Sequence, residues 1–462
     1  TNLGLSYLSL DRAGSTLSNG ELQRVQISRA VRSDTTGVLY VLDEPSIGLH
    51  PYNVDGLMKI VRELVERKNS VVLVDHDPRI LMDADQLIEI GPGAGKEGGR
   101  IVTQGTPLEA ESNPHSLIGP YLSGKESLKV RNRASEKDMF ENGSIRIKTK
   151  PFYTVKALDV SIPKGRMIAV TGVSGSGKTS LVIECLVPAL QAVIHGTKLP
   201  EHVESIEAKE IQSVKVIDSK PIGANVRSTV ATYDGVFDDL RKLFAKIPDA
   251  KSKGLSAGDF SYNTGKLRCP VCDGTGIITM DVQFLPDVDT ICPSCGGSRY
   301  GKEAYDILWK SKEKDSVSVS LPGLLKLTVE EAAGILHEET KIAKQLKILQ
   351  DLGVCYLTLG EATPALSGGE AQRLKLAYEM ETPQQGSVFV FDEPTIGLHP
   401  QDVKKLILIF DHLIQLGATV IVIEHDLELV TNCDYIIDMG PWGGTEGGRV
   451  VVEGTPEQWL PI

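Results

Sequence analysis

The chain has 462 residues, 41% hydrophobic and 24% charged, with 61 acidic against 49 basic side chains and a formal charge of −12. This is globular composition for two or three domains, and it argues against a uniformly basic nucleic-acid coat while leaving room for a local basic patch. No run approaches the ~18 apolar residues of a membrane span and no signal-peptide pattern opens the chain, so a cytoplasmic location is expected.

In chain order, residues 1–110 contain Leu17-Ser-Asn-Gly-Glu-Leu-Gln-Arg24, then the apolar run Gly37-Val-Leu-Tyr-Val-Leu42 closed by Asp43-Glu44, then Ser70-Val-Val-Leu-Val74 followed by His76. The same landmarks return as Leu366-Ser-Gly-Gly-Glu-Ala-Gln-Arg373, as Ser387-Val-Phe-Val-Phe391 closed by Asp392-Glu393, and as Ala418-Thr-Val-Ile-Val-Ile423 followed by His425. Ser18, Asp43, His76, Gly91 and Gly105 each recur 349 residues later. One offset for five landmarks means a duplicated domain, not a solenoid of short repeats. The apolar runs are short and β-branched, as buried parallel strands require, and amphipathic helical stretches separate them, so each copy is expected to be α/β. Residues 111–150, polar and weakly periodic, read as the linker between copies.

Residues 151–190 open the second copy. Gly172-Val-Ser-Gly-Ser-Gly-Lys-Thr179 matches G-x-x-x-x-G-K-[ST], after the apolar Arg166-Met-Ile-Ala-Val170 and before the helix-like Ser180-Leu-Val-Ile-Glu-Cys-Leu186. Gly172, Ser174, Gly175, Ser176 and Gly177 would curl the backbone so that N–H groups face phosphate oxygens, and Ser180 would begin a helix whose positive end adds to them. Lys178 would reach the β/γ-phosphates and Thr179 would hold Mg²⁺. A chance glycine turn would match the pattern but not the strand, loop and helix around it. The offset of 349 places the first copy's equivalent before residue 1, and because residue 1 is Thr, the sequence is expected to begin inside a longer product.

At the end of a strand beside such a loop, Asp392 would complete the Mg²⁺ shell and Glu393 would orient the water that attacks the γ-phosphate. His425 would contact that phosphate or water. A lone histidine after a strand is more often structural, but His76 stands at the same distance from Asp43-Glu44, which favours function for both histidines and for Glu44. Ser367, Gly368 and Gly369 offer a hydroxyl, backbone N–H groups and a helix N-terminus, which is either a second anion-binding corner or a simple N-cap box.

The interval from Thr179 to Ser367 is 188 residues, far more than one crossover helix needs. An inserted domain is expected over 191–345, with residues 346–462 completing the second copy. The insert carries Cys269-Pro-Val-Cys272 and Cys292-Pro-Ser-Cys295, a spacing that suits a closed four-cysteine zinc site around residues 260–305; two redox pairs are the rival reading. Phe260, Tyr262, Lys266, Arg268, Arg299, Tyr300 and Lys302 flank the cysteines. They read either as a solvated face over a small local core or as a surface for phosphate contact and base stacking.

Phosphate loop, L-S-G-G-E, Asp-Glu and histidine, in this order, resemble the ATP-binding-cassette ATPases, a P-loop NTPase class. In that class the L-S-G-G-E of one domain caps the nucleotide on another, which implies that Ser18 and Gly20 cover ATP held by Lys178. Asn19 and Asp75 depart from their counterparts Gly368 and Glu424. Val216-Ile-Asp218, Pro221-Ile-Gly223, Arg227-Ser228, Ala231-Thr-Tyr233, Gly235-Val-Phe237, Phe284-Leu-Pro286, the four cysteines and Gly297-Ser-Arg-Tyr300 resemble the UvrA family, the damage-recognising ATPases of the bacterial ABC excinuclease. That resemblance implies an ATPase of nucleotide excision repair that uses ATP, Mg²⁺ and Zn²⁺, dimerises and binds damaged double-stranded DNA, with the second excinuclease component, UvrB, as a partner if the part upstream of residue 1 carries the family's docking domain for it. Ser219-Lys220 departs from the family's glutamine before Pro-Ile-Gly, which suggests a divergent or shortened branch. The alternatives are the ATPase of a membrane transporter and a soluble twin-cassette protein acting on ribosomes.

Overall fold

A computed structural model of the chain describes residues 5, 11, 13–14, 19–31, 35–46, 51–93, 98–124, 130–223, 225–280, 288–311, 317–380, 382–396 and 398–459, with the backbone path alone at 19–21, 23, 30–31, 51–53 and 288. It forms two compact units, Thr1–Ser219 with Pro383–Ile462, and Lys220–Thr382.

The first unit is built on a six-stranded sheet. In chain order its strands are β7 (Met167–Gly172), β9 (Ser213–Ile217), β14 (Ser387–Asp392), β15 (Thr419–Ile423), β16 (Tyr435–Gly440) and β17 (Arg449–Gly454), arranged β17-β16-β7-β15-β14-β9. All neighbours are parallel except the β16–β17 hairpin. β7 and β15 are buried along their whole length, which is why their sequences are mostly apolar and carry no charge. Ile168, Val170, Val390, Ile421 and Ile437 from the sheet pack with Leu181, Val182, Cys185 and Leu190 from the helical run after β7. A three-stranded antiparallel sheet, β6-β5-β8 (Asp159–Pro163, Ser144–Thr149 and Val203–Glu207), adds Ile145, Ile147, Val160 and Ile162 to this core.

The first copy is represented in the same unit by two ribbons, the parallel pair β1–β2 (Leu39–Asp43 and Ser70–Val74) and the antiparallel pair β3–β4 (Leu87–Gly91 and Arg100–Gly105). They correspond to β14–β15 and β16–β17, but among the described residues no strand joins them as β7 joins β15 to β16. Alternate side chains are therefore exposed where the second copy buries its own: Val41 63% and Ile90 69%, against Val390 0% and Met439 1%.

Three expected boundaries fall elsewhere. Residues 191–219 complete the helix Val187–His195 and supply β8 and β9, so they belong to the sheet-bearing unit rather than to the insert. The second unit extends to Thr382 because the helix Gly368–Met380, which carries the second L-S-G-G-E, packs on the helix Thr340–Asp351. The expected linker is largely structured. β5 starts at Ser144, and Arg131 reaches Asp411 (2.8 Å) and the fully buried Asp434 (3.1 Å).

The second unit is helical around Phe237, Leu240, Phe244, Leu346 and Leu349, with the hairpins β10–β11 (Ile277–Met280 and Val288–Ile291) and β12–β13 (Leu308–Lys310 and Ser318–Ser320). No helix among the described residues is long and apolar enough to cross a membrane.

Candidate functional site

The phosphate loop leaves β7 at Gly172, whose φ of +132° is open to glycine; a Cβ there would lie 2.0 Å from the Met439 carbonyl oxygen. Gly175 and Gly177 also have positive φ, and the Leu181 N–H donates to the Gly177 carbonyl (2.9 Å), so loop and helix are continuous through Ser174, Thr179 and Ser180. The Lys178 ammonium turns back on its own loop and donates to the carbonyls of Gly172 (2.9 Å) and Val173 (3.0 Å). Burial pulls it down to about 8, against the carboxylates of Glu393, Asp392, Asp438 and Glu424. Among the described residues the ammonium is thus hydrogen-bonded to carbonyls while acids surround it.

Asp392 ends β14, and Glu393 follows in left-handed backbone at φ +48°, its N–H donating to the Ile423 carbonyl (2.9 Å). That conformation is costly for a side chain with a Cβ, and it aims the carboxylate at His425, whose Nε2 lies 3.6 Å from Glu393 Oε1. Burial raises the Glu393 carboxyl, while Lys178 and Arg24 oppose the rise. Burial, with the charges of Lys178 and Arg24, holds His425 well below the usual imidazole range and keeps the ring neutral.

The first copy repeats this geometry. Glu44 has φ +46°, its N–H donates to the Val74 carbonyl (2.7 Å), and His76 Nε2 lies 3.6 Å from Glu44 Oε1. The His76 side chain is 40% exposed against 8% for His425. Asp75, at the position of Glu424, proves to do the same work. Glu424 accepts from the N–H of Thr395 (3.0 Å), from the Thr395 hydroxyl and from the N–H of His425 (2.6 Å). Asp75 accepts from the N–H (3.3 Å) and hydroxyl (2.8 Å) of Ser46 and from the N–H of His76 (2.8 Å). A shorter acid paired with serine thus closes the same brace.

Sequence reasoning missed Arg24. It lies in the helix Asn19–Val31 of the first copy, 2% exposed, with Nε and Nη1 buried and, among the described residues, unpartnered. Its charge acts on both Glu393 and His425 of the second copy. The signal was the closing arginine of the repeated L-S-x-G-E-x-Q-R. Ser18 lies outside the described residues, Gly20 is described as backbone of the same helix, and Ser367, Gly368 and Gly369 belong to the second unit. There Ser367 and Glu370 form a reciprocal cap, Glu370 accepting from the Ser367 N–H (2.7 Å) and Ser367 Oγ accepting from the Glu370 N–H (3.3 Å).

In the second unit the sulfurs of Cys269, Cys272, Cys292 and Cys295 all lie within 4.8 Å of one another, with Cys269–Cys292 at 4.0 Å and Cys272–Cys295 at 3.7 Å. A tetrahedral zinc with ~2.3 Å bonds needs sulfurs ~3.8 Å apart, so the donor set fits that ion. Burial raises the Cys269 thiol, but N–H donors from Cys272 and Val271 outweigh it and bring it to about 7.

The flanking aromatics are core. Phe260, Tyr262 and Tyr300 are buried, Tyr300 donates to the Phe260 carbonyl (2.6 Å), Tyr262 donates to the Arg227 carbonyl (3.0 Å), and Arg299 lies over the Tyr262 ring. Base stacking by these rings is excluded in this conformation; Lys266 and Lys302 remain exposed.

A P-loop at the head of a parallel sheet, with Asp-Glu and histidine after adjacent strands and the latter pair of features present twice, defines an ATP-binding-cassette protein. No protein-family model matches the sequence. UvrABC system protein A of Aquifex aeolicus is 45% identical over 461 residues, 99% of this chain and 49% of that protein. Its counterpart from Staphylococcus aureus is 44% identical over 464 residues, 99% of this chain and 47% of that protein. The crystal structure of UvrA2 from Deinococcus radiodurans superposes with a TM-score of 0.90 at 40% identity, covering 99% of this chain and 54% of that one. A model of ribosome-bound archaeal Pelota and ABCE1 reaches a TM-score of 0.56 at 18% identity over 99% of this chain and 59% of that one, which shows the fold alone. Over nearly its whole length the chain is similar to UvrABC system protein A, and it spans about half the length of the curated relatives it matches.

Proposed function

We propose that this chain is the ATP-hydrolysing part of a nucleotide excision repair protein that recognises damaged or ligand-modified double-stranded DNA, with ATP turnover controlling DNA loading and release. Lys178 gives up its loop carbonyls for the β/γ-phosphates, Thr179 and Asp392 hold Mg²⁺, and Glu393 orients the attacking water. His425, neutral and braced by Glu424, accepts or donates a hydrogen bond at the γ-phosphate. Glu44 and His76 take the same roles in the first copy, and Ser367, Gly368 and Gly369 are anion-binding donors of the second unit. Zinc on the four cysteines would shape the second unit and take no part in hydrolysis, because four thiolates leave no open position.

The observation that carries this reading is Arg24. A buried arginine from the first copy's signature helix acts on the carboxylate and imidazole of the second copy's site, which supports Ser18 and Gly20 capping the nucleotide held by Lys178. The assembly is a homodimer in the cytoplasm with UvrB as partner. Measuring ATP hydrolysis and anisotropy on intact and damaged duplex, with and without ATP, tests it. Lys178→Ala should abolish hydrolysis and the effect of ATP on DNA binding; unchanged values for both would refute the assignment.

A further inference from the structure

The sequence Gly-Pro-x-x-Gly-x-x-Gly-Gly does not enter the mechanism above, although it occurs twice, at Gly91–Gly99 as Gly-Pro-Gly-Ala-Gly-Lys-Glu-Gly-Gly and at Gly440–Gly448 as Gly-Pro-Trp-Gly-Gly-Thr-Glu-Gly-Gly. The second occurrence is the turn between β16 and β17, and it lies against the phosphate loop. The Gly444 N–H donates to the Gly175 carbonyl (3.0 Å), and the Gly448 N–H donates to the Ser176 carbonyl (3.0 Å). On its other side the turn is tied to residues 154–156: the Lys156 N–H donates to the Gly448 carbonyl (2.9 Å) and Lys156 Nζ to the Thr445 carbonyl (3.0 Å).

The approach is so close that side chains are excluded. A Cβ on Gly447 would lie 2.3 Å from the Trp442 carbonyl oxygen and 3.2 Å from Ser176 Cα. On Gly448, at φ +79°, it would lie 1.6 Å from the Thr154 carbonyl oxygen. Gly177 completes the layer, its own Cβ position 3.0 Å from Thr154 Oγ1 and 3.7 Å from Gly448 Cα.

We propose that the turn 441–448 is a main-chain clasp on the phosphate loop, and that Gly447 and Gly448 are positioning residues for the nucleotide. The physical basis is peptide planarity. In a trans peptide the C=O and the following N–H point in opposite directions, so a donor that holds the Ser176 carbonyl on the clasp side turns the Gly177 N–H away from it. Nucleotide-facing donors are thereby oriented before phosphate arrives, and the ordering cost is removed from binding.

The inference rests on the phosphate loop binding ATP, and its test separates the two claims. Binding of a fluorescent ATP analogue is measured on the full chain for the wild type, Gly448→Ala, Lys156→Met and Gly196→Ala. Hydrogen exchange of peptides covering residues 173–179 is followed without nucleotide. Gly196 has φ +64° with nothing within 4 Å of its Cβ position, so its variant carries the backbone strain without the crowding. Gly448→Ala is expected to weaken analogue binding at least tenfold and to speed exchange of 173–179 at least tenfold, with Gly196→Ala within twofold of wild type in both. Should Gly448→Ala not fold, Lys156→Met, which keeps every glycine, is expected to give a twofold to fivefold loss in the same two readouts. If the wild type binds no analogue, the nucleotide reading fails and the exchange result alone decides the clasp. Exchange and affinity unchanged in Lys156→Met, and in a folded Gly448→Ala, would overturn the proposal.

Discussion

Asp426 follows His425 directly and caps the helix Leu427–Asn432, accepting from the Leu429 N–H (2.8 Å). Burial, then the charges of Glu424 and Asp77, push its carboxyl from 3.8 up to about 6, against the capping hydrogen bond. A carboxyl raised on folding stabilises the protein fully below its unfolded pKa, and that contribution is lost as pH rises through the folded value. The wild type therefore carries a penalty above pH 6. Asn caps a helix as well as Asp does and has no charge, so Asp426→Asn should remove the penalty and keep the cap. A shift from 3.8 to about 6 corresponds to a ceiling of ~3 kcal/mol at pH 8 and about half of that at pH 5. Because Asp426 keeps partial solvent contact, screening reduces both, and about 1–2 kcal/mol is expected at pH 8. Urea unfolding of both proteins at pH 5 and pH 8, followed by tryptophan fluorescence, measures the difference. No gain at pH 8, or an equal gain at both values, would refute the reasoning.

Arg131 pairs with Asp434, whose side chain is fully buried and also accepts from the N–H groups of Met167 and Ala134 (both 2.8 Å). Arg131→Met should leave that carboxylate without its counter-charge and cost about 3–5 kcal/mol in thermal or urea unfolding; a loss under ~1 kcal/mol would contradict the buried pair. Removing zinc with a chelator should release one metal per chain by atomic absorption and sharply raise proteolysis between residues 260 and 305, because structural zinc binding is folding free energy. Binding of the ATP analogue by the first unit should persist, and its loss with the metal would argue against separate roles.

The phosphate loop, the Asp-Glu pairs, both histidines and the four cysteines were legible because each demands particular residue types at fixed local spacing. A metal with four thiolates or a loop that presents N–H groups to phosphate leaves the same trace wherever it folds. Fold class was legible for a similar reason: strands buried on both faces must be continuously apolar, and a single offset of 349 residues exposed the duplication. Whether Asp75 could stand in for Glu424 was not legible, because it depends on whether Ser46 can approach a shorter acid, which is a matter of distance and not of type.

What the amino-acid sequence determined by itself, then, is which donors and acceptors stand at each candidate site, since these are set by side-chain identity and near-neighbour spacing. The tertiary structure alone decided which chemistry meets which. It brought Arg24 to Glu393 and His425 across more than 360 residues, laid the Gly440–Gly448 turn on Gly175 and Ser176, and folded Phe260, Tyr262 and Tyr300 inward as core. Such contacts depend on how buried surfaces close on one another, and closure is a property of the packed whole that no local pattern encodes.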